Sequence, residues 1–375
     1  MKAQTTLLLM VLLSAWIAGC SPKVTESREV LPQGMDDFYA EDFHIGAAIN
    51  RAQILQTDSM AAQLLKQEFN SITPENIMKW MYIHPGPDSF NFDMADRFIN
   101  LGESQDKFIV GHTLVWHSQL APWVESIIDD KIFEASFDTH IQEIAGRYAG
   151  KIDAWDVVNE ALNEDGSLRK SIFLEKMGED YLSRAFKQAA GADPNAELYY
   201  NDYNLCQEKK RAGAIALIKQ LQEDGCKVDG VGIQAHWSLL GPSIEEIEES
   251  ILEYSALGIK VMFTELDVTV LPNPWDLQGA EVSQNYEGSP FMNPYPEALP
   301  DSVQEALAKR YEDIFMLFLK HKDKISRVTF WGVHDGQSWL NGWPIKGRTN
   351  YPLIFDRNYQ PKKAYEILRI LKIPS

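Results

Sequence analysis

Eight short apolar runs, each followed by a helical pattern, restrict the folds open to this chain more than any other feature. They are His44–Asn50, Ser71–Asn76, Phe108–Trp116, Ala154–Glu160, Glu197–Asn204, Val231–Trp237, Lys260–Val268 and Arg327–Asp335. Helical periodicity lies between them, for example over Ala52–Phe69, Phe137–Tyr148, Ile244–Leu257 and Val303–Leu319. The strand segments are continuous rather than alternating, as expected for a parallel sheet covered on both faces. Eight β-then-α units within about 330 residues point to a single (β/α)8 TIM barrel of the α/β class. A doubly wound sheet competes, but it usually carries a glycine-rich phosphate turn after its first strand. Ile45-Gly46-Ala47-Ala48-Ile49-Asn50 has none.

In such a barrel, reactive side chains sit at the C-terminal ends of the strands and on the loops that follow. Polar residues gather at those positions here: Asn50, Glu75 and Asn76, His112 through Gln119, Asn159 and Glu160, Asn201 through Asn204, Gln234 and His236, Glu265 and Asp267, and Trp331 through Trp339. Two of them are glutamates closing buried strands, where a carboxylate is costly unless it is paired or used. Glu160 and Glu265 therefore suggest the paired carboxylates of glycoside hydrolysis. Residues two apart on a strand share a face, so Glu265 and Asp267 should point together, as should Gln234 and His236 on the preceding strand. A histidine between two carboxylates would keep Glu265 ionised. Glu160, followed by Ala161 and Leu162, has a less polar setting that raises a carboxyl pKa.

The ends of the chain carry a different message. Lys2 precedes an apolar run from Leu7 to Ile17, then Ala18-Gly19-Cys20, a secretory signal too short to span a bilayer. Small residues with a cysteine just past the run also match a bacterial lipoprotein box. The expected organisation is a signal peptide over 1–19, an acylated Cys20 with a flexible tether to 36, and a catalytic barrel over 37–375. The expected location is export, with a lipid anchor in the outer membrane as the only membrane contact. The other two cysteines, Cys206 and Cys226, flank a helical pattern from Glu208 to Gln222, about 20 Å long. That is too far for a disulfide. A net charge of −19, from 35 basic and 54 acidic residues, argues against nucleic acid as a partner. The longest irregular stretch, Leu271–Pro300, holds six prolines. Proline lowers the ordering cost of a loop, so a fixed rim is expected. Tyr286 and Tyr295 are expected to pack that rim onto the barrel.

A family resemblance rests on motifs that occur in order: Thr73 to Trp80 (TPENIMKW), Gly111 to His117 (GHTLVWH), Trp155 to Ala161 (WDVVNEA), Gly232 to His236 (GIQAH), Thr264 to Asp267 (TELD), and Phe330 through Trp339. Together they resemble the family 10 glycoside hydrolases, the endo-β-1,4-xylanases, from about Asp42 to the C-terminus. The resemblance implies cleavage of xylan and xylo-oligosaccharides with retention of configuration, and no metal or organic cofactor. It implies that Glu160 is the acid/base and Glu265 the nucleophile, that His236 and Asp267 position Glu265, and that Asn159 binds the sugar 2-hydroxyl. Glu75, Asn76, Lys79, His112, Trp116, Gln119 and Gln234 are implied as sugar contacts, Trp331 and Trp339 as aromatic walls on the glycone side, and Tyr203 as a stacking platform on the aglycone side. Trp80, Trp155 and Trp237 are expected in the core. Two other readings remain open at this stage: a related retaining β-1,4-glucanase or mannanase, and a tethered glycan-binding lipoprotein without catalysis.

Overall fold

The computed structural model describes residues 34–277 and 279–372. The expected signal peptide, Cys20 and the tether as far as residue 33 lie outside the described residues. The folded domain starts slightly ahead of the expected boundary. Met35–Tyr39 is already a helix whose Met35 and Tyr39 are fully buried. Met35 donates its N–H to Glu68 (2.9 Å), and Tyr39 donates its hydroxyl to the Leu368 carbonyl (2.7 Å), which fastens the entry of the chain to its exit.

Nine strand segments build one parallel barrel: β1 (His44–Ile49), β2 (Ser71–Pro74), β3 (Phe108–Trp116), β4 (Ala154–Asn159), β5 (Glu197–Asp202), β6 (Gly230–Ile233), β7 (His236–Ser238), β8 (Lys260–Thr269) and β9 (Ile325–Phe330). Each pairs in parallel with its neighbour, and β1 pairs with both β2 and β9, so the barrel closes. Eight staves result, because β6 and β7 are two halves of one. Both pair with β8, Gly230 opposite Lys260 and His236 opposite Asp267. The expected run Val231–Trp237 is therefore interrupted. At Ala235 the backbone takes φ +65°, a left-handed turn that breaks the ladder for two residues.

Apolar side chains fill both sides of the sheet. Inside the barrel, Ala154, Tyr199 and Met262 form a small cluster beneath the mouth, bordered by Phe108. The Arg327 guanidinium lies 5.7 Å from the Tyr199 ring and 5.8 Å from Phe108. Outside, the strands and the ring of helices share the main core, in which Trp80, Trp155 and Trp237 are buried as expected.

Element boundaries differ from the periodicity where capping intervenes. The expected helix Ala52–Phe69 is two helices, Arg51–Ile54 and Ser59–Glu68. Gln56 adopts φ +54°, and the Asp58 side chain then accepts from the Ala61 N–H to start the second. The helix expected from Phe137 begins at Asp130, because Asp129 caps the N–H groups of Lys131 and Ile132. Strand ends expected at Asn76, Glu160 and Asp335 fall earlier, at Pro74, Asn159 and Phe330, where the chain leaves the ladder to enter the mouth.

Within the rim after β8, the one helical element among the described residues is the 3-10 turn Pro290–Met292. The rim is tied down as expected. The Tyr286 N–H donates to the Pro344 carbonyl (2.9 Å), and the Tyr351 hydroxyl donates to the Tyr295 carbonyl (2.9 Å). The Tyr295 side chain packs against the core. Cys206 and Cys226 are free thiols, the first buried.

Candidate active site

Thirteen of the fifteen residues singled out at the strand ends line one cavity of about 170 Å³ at the C-terminal mouth: Glu75, Asn76, Lys79, His112, Trp116, Gln119, Asn159, Glu160, Gln234, His236, Glu265, Trp331 and Trp339. Asp267 stands behind His236 and borders an adjoining cavity of about 400 Å³. Tyr203 is the exception, described below.

Glu160 follows the last residue of β4 at φ +59°, which turns its side chain into the mouth at a cost of roughly 1–2 kcal/mol for a residue with a Cβ. Its carboxyl is held on both oxygens. Trp116 Nε1 donates to Oε2 (2.8 Å), while Gln234 Nε2 (2.9 Å) and Asn159 Nδ2 (3.2 Å) donate to Oε1. Trp116 is thus a buried support for Glu160, with Lys79 Nζ 4.8 Å from its ring. Burial is the main influence on Glu160 and raises its pKa above the ordinary glutamate value.

Glu265, inside β8, is in the opposite state. Asn201 Nδ2 donates to its Oε1 (3.0 Å), and His236 Nε2 donates to its Oε2 (3.2 Å). Burial pushes this carboxyl up, but the His236 hydrogen bond and the charges of His112 and His236 bring it below the ordinary value. His236 in turn forms an ion pair through Nδ1 with Asp267 Oδ2 at 3.0 Å. Burial disfavours its charge, yet Asp267 and Glu265 together raise its pKa to about 10, so the ring is an imidazolium at neutral pH. Trp339 Nε1 donates to the same Asp267 oxygen (2.9 Å). A line of contacts, Trp339–Asp267–His236–Glu265, therefore runs from the rim to the buried carboxylate.

Three side-chain amides connect the two carboxylates. Asn159 Oδ1 accepts from Asn201 Nδ2 (2.9 Å) and from Gln234 Nε2 (3.3 Å), and Asn201 Oδ1 accepts from Thr264 (2.6 Å). Asn201 occupies the junction, and sequence reasoning assigned it no role. Its signal was available, since it shares a strand face with Tyr199 two residues earlier and belongs to a polar strand ending.

Toward the other end of the cavity, Lys79 Nζ donates to Asn76 Oδ1 (2.9 Å). Burial lowers the Lys79 pKa, opposed by Glu265, Glu75 and Glu160, and burial raises that of Glu75. His112 Nδ1 meets Asp156 Oδ2 at 2.8 Å, and its ring lies edge-on to Trp331 at 5.5 Å. The half-buried Trp339 ring stacks on Trp343 at 4.4 Å.

Tyr203 does not present the open ring expected of a platform. It is 3% exposed. Lys210 Nζ stands 3.5 Å over its ring, and a Cβ built on Gly279 of the rim would come within 2.3 Å of Tyr203 Cε2. Its hydroxyl accepts from Arg169 (2.7 Å). Arg169 also donates through Nε to the Glu160 carbonyl (3.1 Å) and pairs with Glu281 of the rim at 2.9 Å. Neither Arg169 nor Glu281 stood out in the sequence, because each lies in irregular chain where no periodicity marks its direction.

Comparison with known proteins decides the family. Residues 34–370 match Glycosyl hydrolase family 10, which is nearly all of the described chain. The chain belongs to family 10. Among its relatives, an endo-1,4-beta-xylanase A of Xylanibacter ruminicola is 41% identical over 347 residues, covering 90% of this chain and 93% of that protein. A family 10 endoxylanase retrieved from a sugarcane soil metagenome superposes with a TM-score of 0.87 at 47% identity, covering 90% of this chain and all of the other. A mutant relative solved in complex with xylotriose superposes with a TM-score of 0.79 at 33% identity, over 90% and 99% of the two chains. The (β/α)8 barrel of this family 10 member thus accords with that expected from its eight strand runs.

Proposed function

We propose that this family 10 protein is an endo-1,4-β-xylanase that cleaves xylan and xylo-oligosaccharides with retention of configuration. The observation that carries this reading is the opposed state of two linked carboxyls in one cavity: Glu160 held toward its acid form by burial, and Glu265 held as carboxylate by His236.

Glu160 protonates the departing glycosidic oxygen while Glu265 attacks the anomeric carbon from the other side, giving a covalent glycosyl-enzyme. Glu160, now a base, then takes a proton from water, which displaces the sugar from Glu265. The second inversion restores the original configuration. The charge on His236 keeps Glu265 ionised before attack, and Asp267 keeps His236 charged. Asn159, held between Gln234 and Asn201, is placed to bind the 2-hydroxyl of the sugar whose bond breaks. Glu75, Asn76, Lys79, His112 and Gln119 offer hydroxyl contacts on the glycone side, where Trp331 and Trp339 form apolar walls. A xylosyl ring has no exocyclic hydroxymethyl group, which suits a cavity closed by these two indoles.

Comparative rates on xylan, soluble cellulose and mannan, with the anomer of the first product read by NMR, test the reading. Preferred cleavage of xylan with the β-anomer appearing first is expected, and an initial α-anomer would overturn it. We further propose export and anchoring in the outer membrane through an acylated Cys20. The supporting observation is the apolar run ending in Ile17-Ala18-Gly19-Cys20.

A further inference from the structure

The rim segment 279–282 crosses the mouth of the barrel instead of standing beside it. Gly279 lies against the Tyr203 ring at one end. Ala280 borders both the catalytic cavity and the adjoining one, and Val282 borders the catalytic cavity. Between them, Glu281 is held from below by Arg169 at 2.9 Å and by His117 Nε2 at 3.5 Å. His117 and Arg169 bring its pKa down to about 2, so it stays charged across the working pH range. The same guanidinium contacts the Glu160 carbonyl and the Tyr203 hydroxyl. The strap therefore walls the cavity beside Glu160, and its fastening shares Arg169 with Glu160 and Tyr203.

We propose that Glu281 is a specificity-determining latch, which holds the 279–282 strap across the leaving-group side and so restricts entry of long xylan chains relative to short substrates. The proposal rests on the xylanase reading above. In the latched state the ring of Tyr203 is covered, and Ala280 and Val282 wall the cavity that holds Glu160. A substrate with a small aryl leaving group needs little of that space. A chain with two or more xylosyl units beyond the scissile bond needs the strap displaced, and the latch opposes this. Glu281 acts through Arg169 and His117 and takes no part in the chemistry.

The test compares the unaltered protein with Glu281→Gln and Glu281→Ala on 4-nitrophenyl xylobioside and on xylohexaose. The Gln variant keeps the shape of the side chain and removes its charge. Loss of one half-buried ion pair should raise kcat/KM for xylohexaose about fivefold, mostly through a lower KM, with the aryl xylobioside changed by less than about twofold. The Ala variant should show the same direction with at least as large an effect. An unchanged ratio of the two rates overturns the proposal. A selective fall with xylohexaose would make Glu281 a substrate contact, and an equal fall with both would make it a support of Glu160 through Arg169; either result also overturns it. Failure of the unaltered protein to cleave either compound would reject the xylanase reading itself, a separate outcome.

Discussion

Replacing Asp267 by Asn should uncouple the charge on His236 from the fold, and the structure sets the size of the effect. The folded-state pKa of His236 is about 10, against 6.5 for an ordinary histidine. That difference is worth about 5 kcal/mol of preference for the imidazolium in the folded state. Because the folded pKa is the higher one, this stabilisation is fully present below pH 6.5 and disappears as pH rises through 10. By linkage it should amount to about 3 kcal/mol at pH 8 and about 1 kcal/mol at pH 9.5. Asp267 is the foremost group raising this pKa, ahead of Glu265. Asp267→Asn should therefore lower stability by about 2–4 kcal/mol at pH 6 and by much less at pH 10. Urea denaturation at pH 6, 8 and 9.5 measures the loss, and NMR titration of the His236 ring follows the proton directly. A stability difference that does not vary with pH, or a His236 titration unmoved by the substitution, would refute the reasoning. Activity provides a second readout, since the proposed mechanism needs Glu265 ionised and His236 holds its pKa down.

The remaining predictions concern the carboxyls, the rim tryptophan and the anchor. With Glu265 lowered and Glu160 raised, the acid limb of kcat/KM should fall below the ordinary glutamate value of 4.5 and the basic limb above it; a basic limb lost on replacing Glu265 and kept on replacing Glu160 would reverse the roles. Glu160→Ala should fail on xylan yet form the glycosyl-enzyme from aryl xylobiosides with acidic phenols, and azide should restore turnover as the β-glycosyl azide. Mass spectrometry of the intermediate and NMR of the product check this, and an α-azide would refute it. Trp339→Ala removes the proposed sugar wall together with the hydrogen bond to Asp267, so kcat/KM on xylo-oligosaccharides should drop by about 1–3 kcal/mol with the fold intact by circular dichroism. Cys20→Ala should shift the protein out of the membrane fraction on cell fractionation without changing barrel activity.

What could be read from the residues was whatever repeats or alternates. The eight staves announced themselves as apolar runs. The alternation of strand faces placed Glu265 with Asp267 and Gln234 with His236, and the contacts of His236 with both carboxylates follow from it. Direction was legible only where the strand is regular. Helix starts at Ser59 and Asp130 depend on single capping aspartates, and the break at Ala235 on one left-handed residue. Periodicity averages over such single-residue events. The burial of Tyr203 was hidden for a different reason: its cover comes from Gly279, 76 positions later, in a stretch with no period to read. The same holds for Arg169, whose partners Glu160, Tyr203 and Glu281 come from three separate parts of the chain.

The break between β6 and β7 also bears on how this enzyme can be altered. Gln234, just before Ala235, holds Glu160, and His236, just after it, holds Glu265. One three-residue hinge thus sets the posture of both cavity carboxyls. A substitution that rotates it changes the surroundings of Glu160 and Glu265 in a single step. Efforts to move the working pH of such a protein would do better to leave this hinge untouched. Trp116 touches Glu160 and Asn201 touches Glu265 from separate staves, so each offers a handle on one carboxyl without a direct bond to the other.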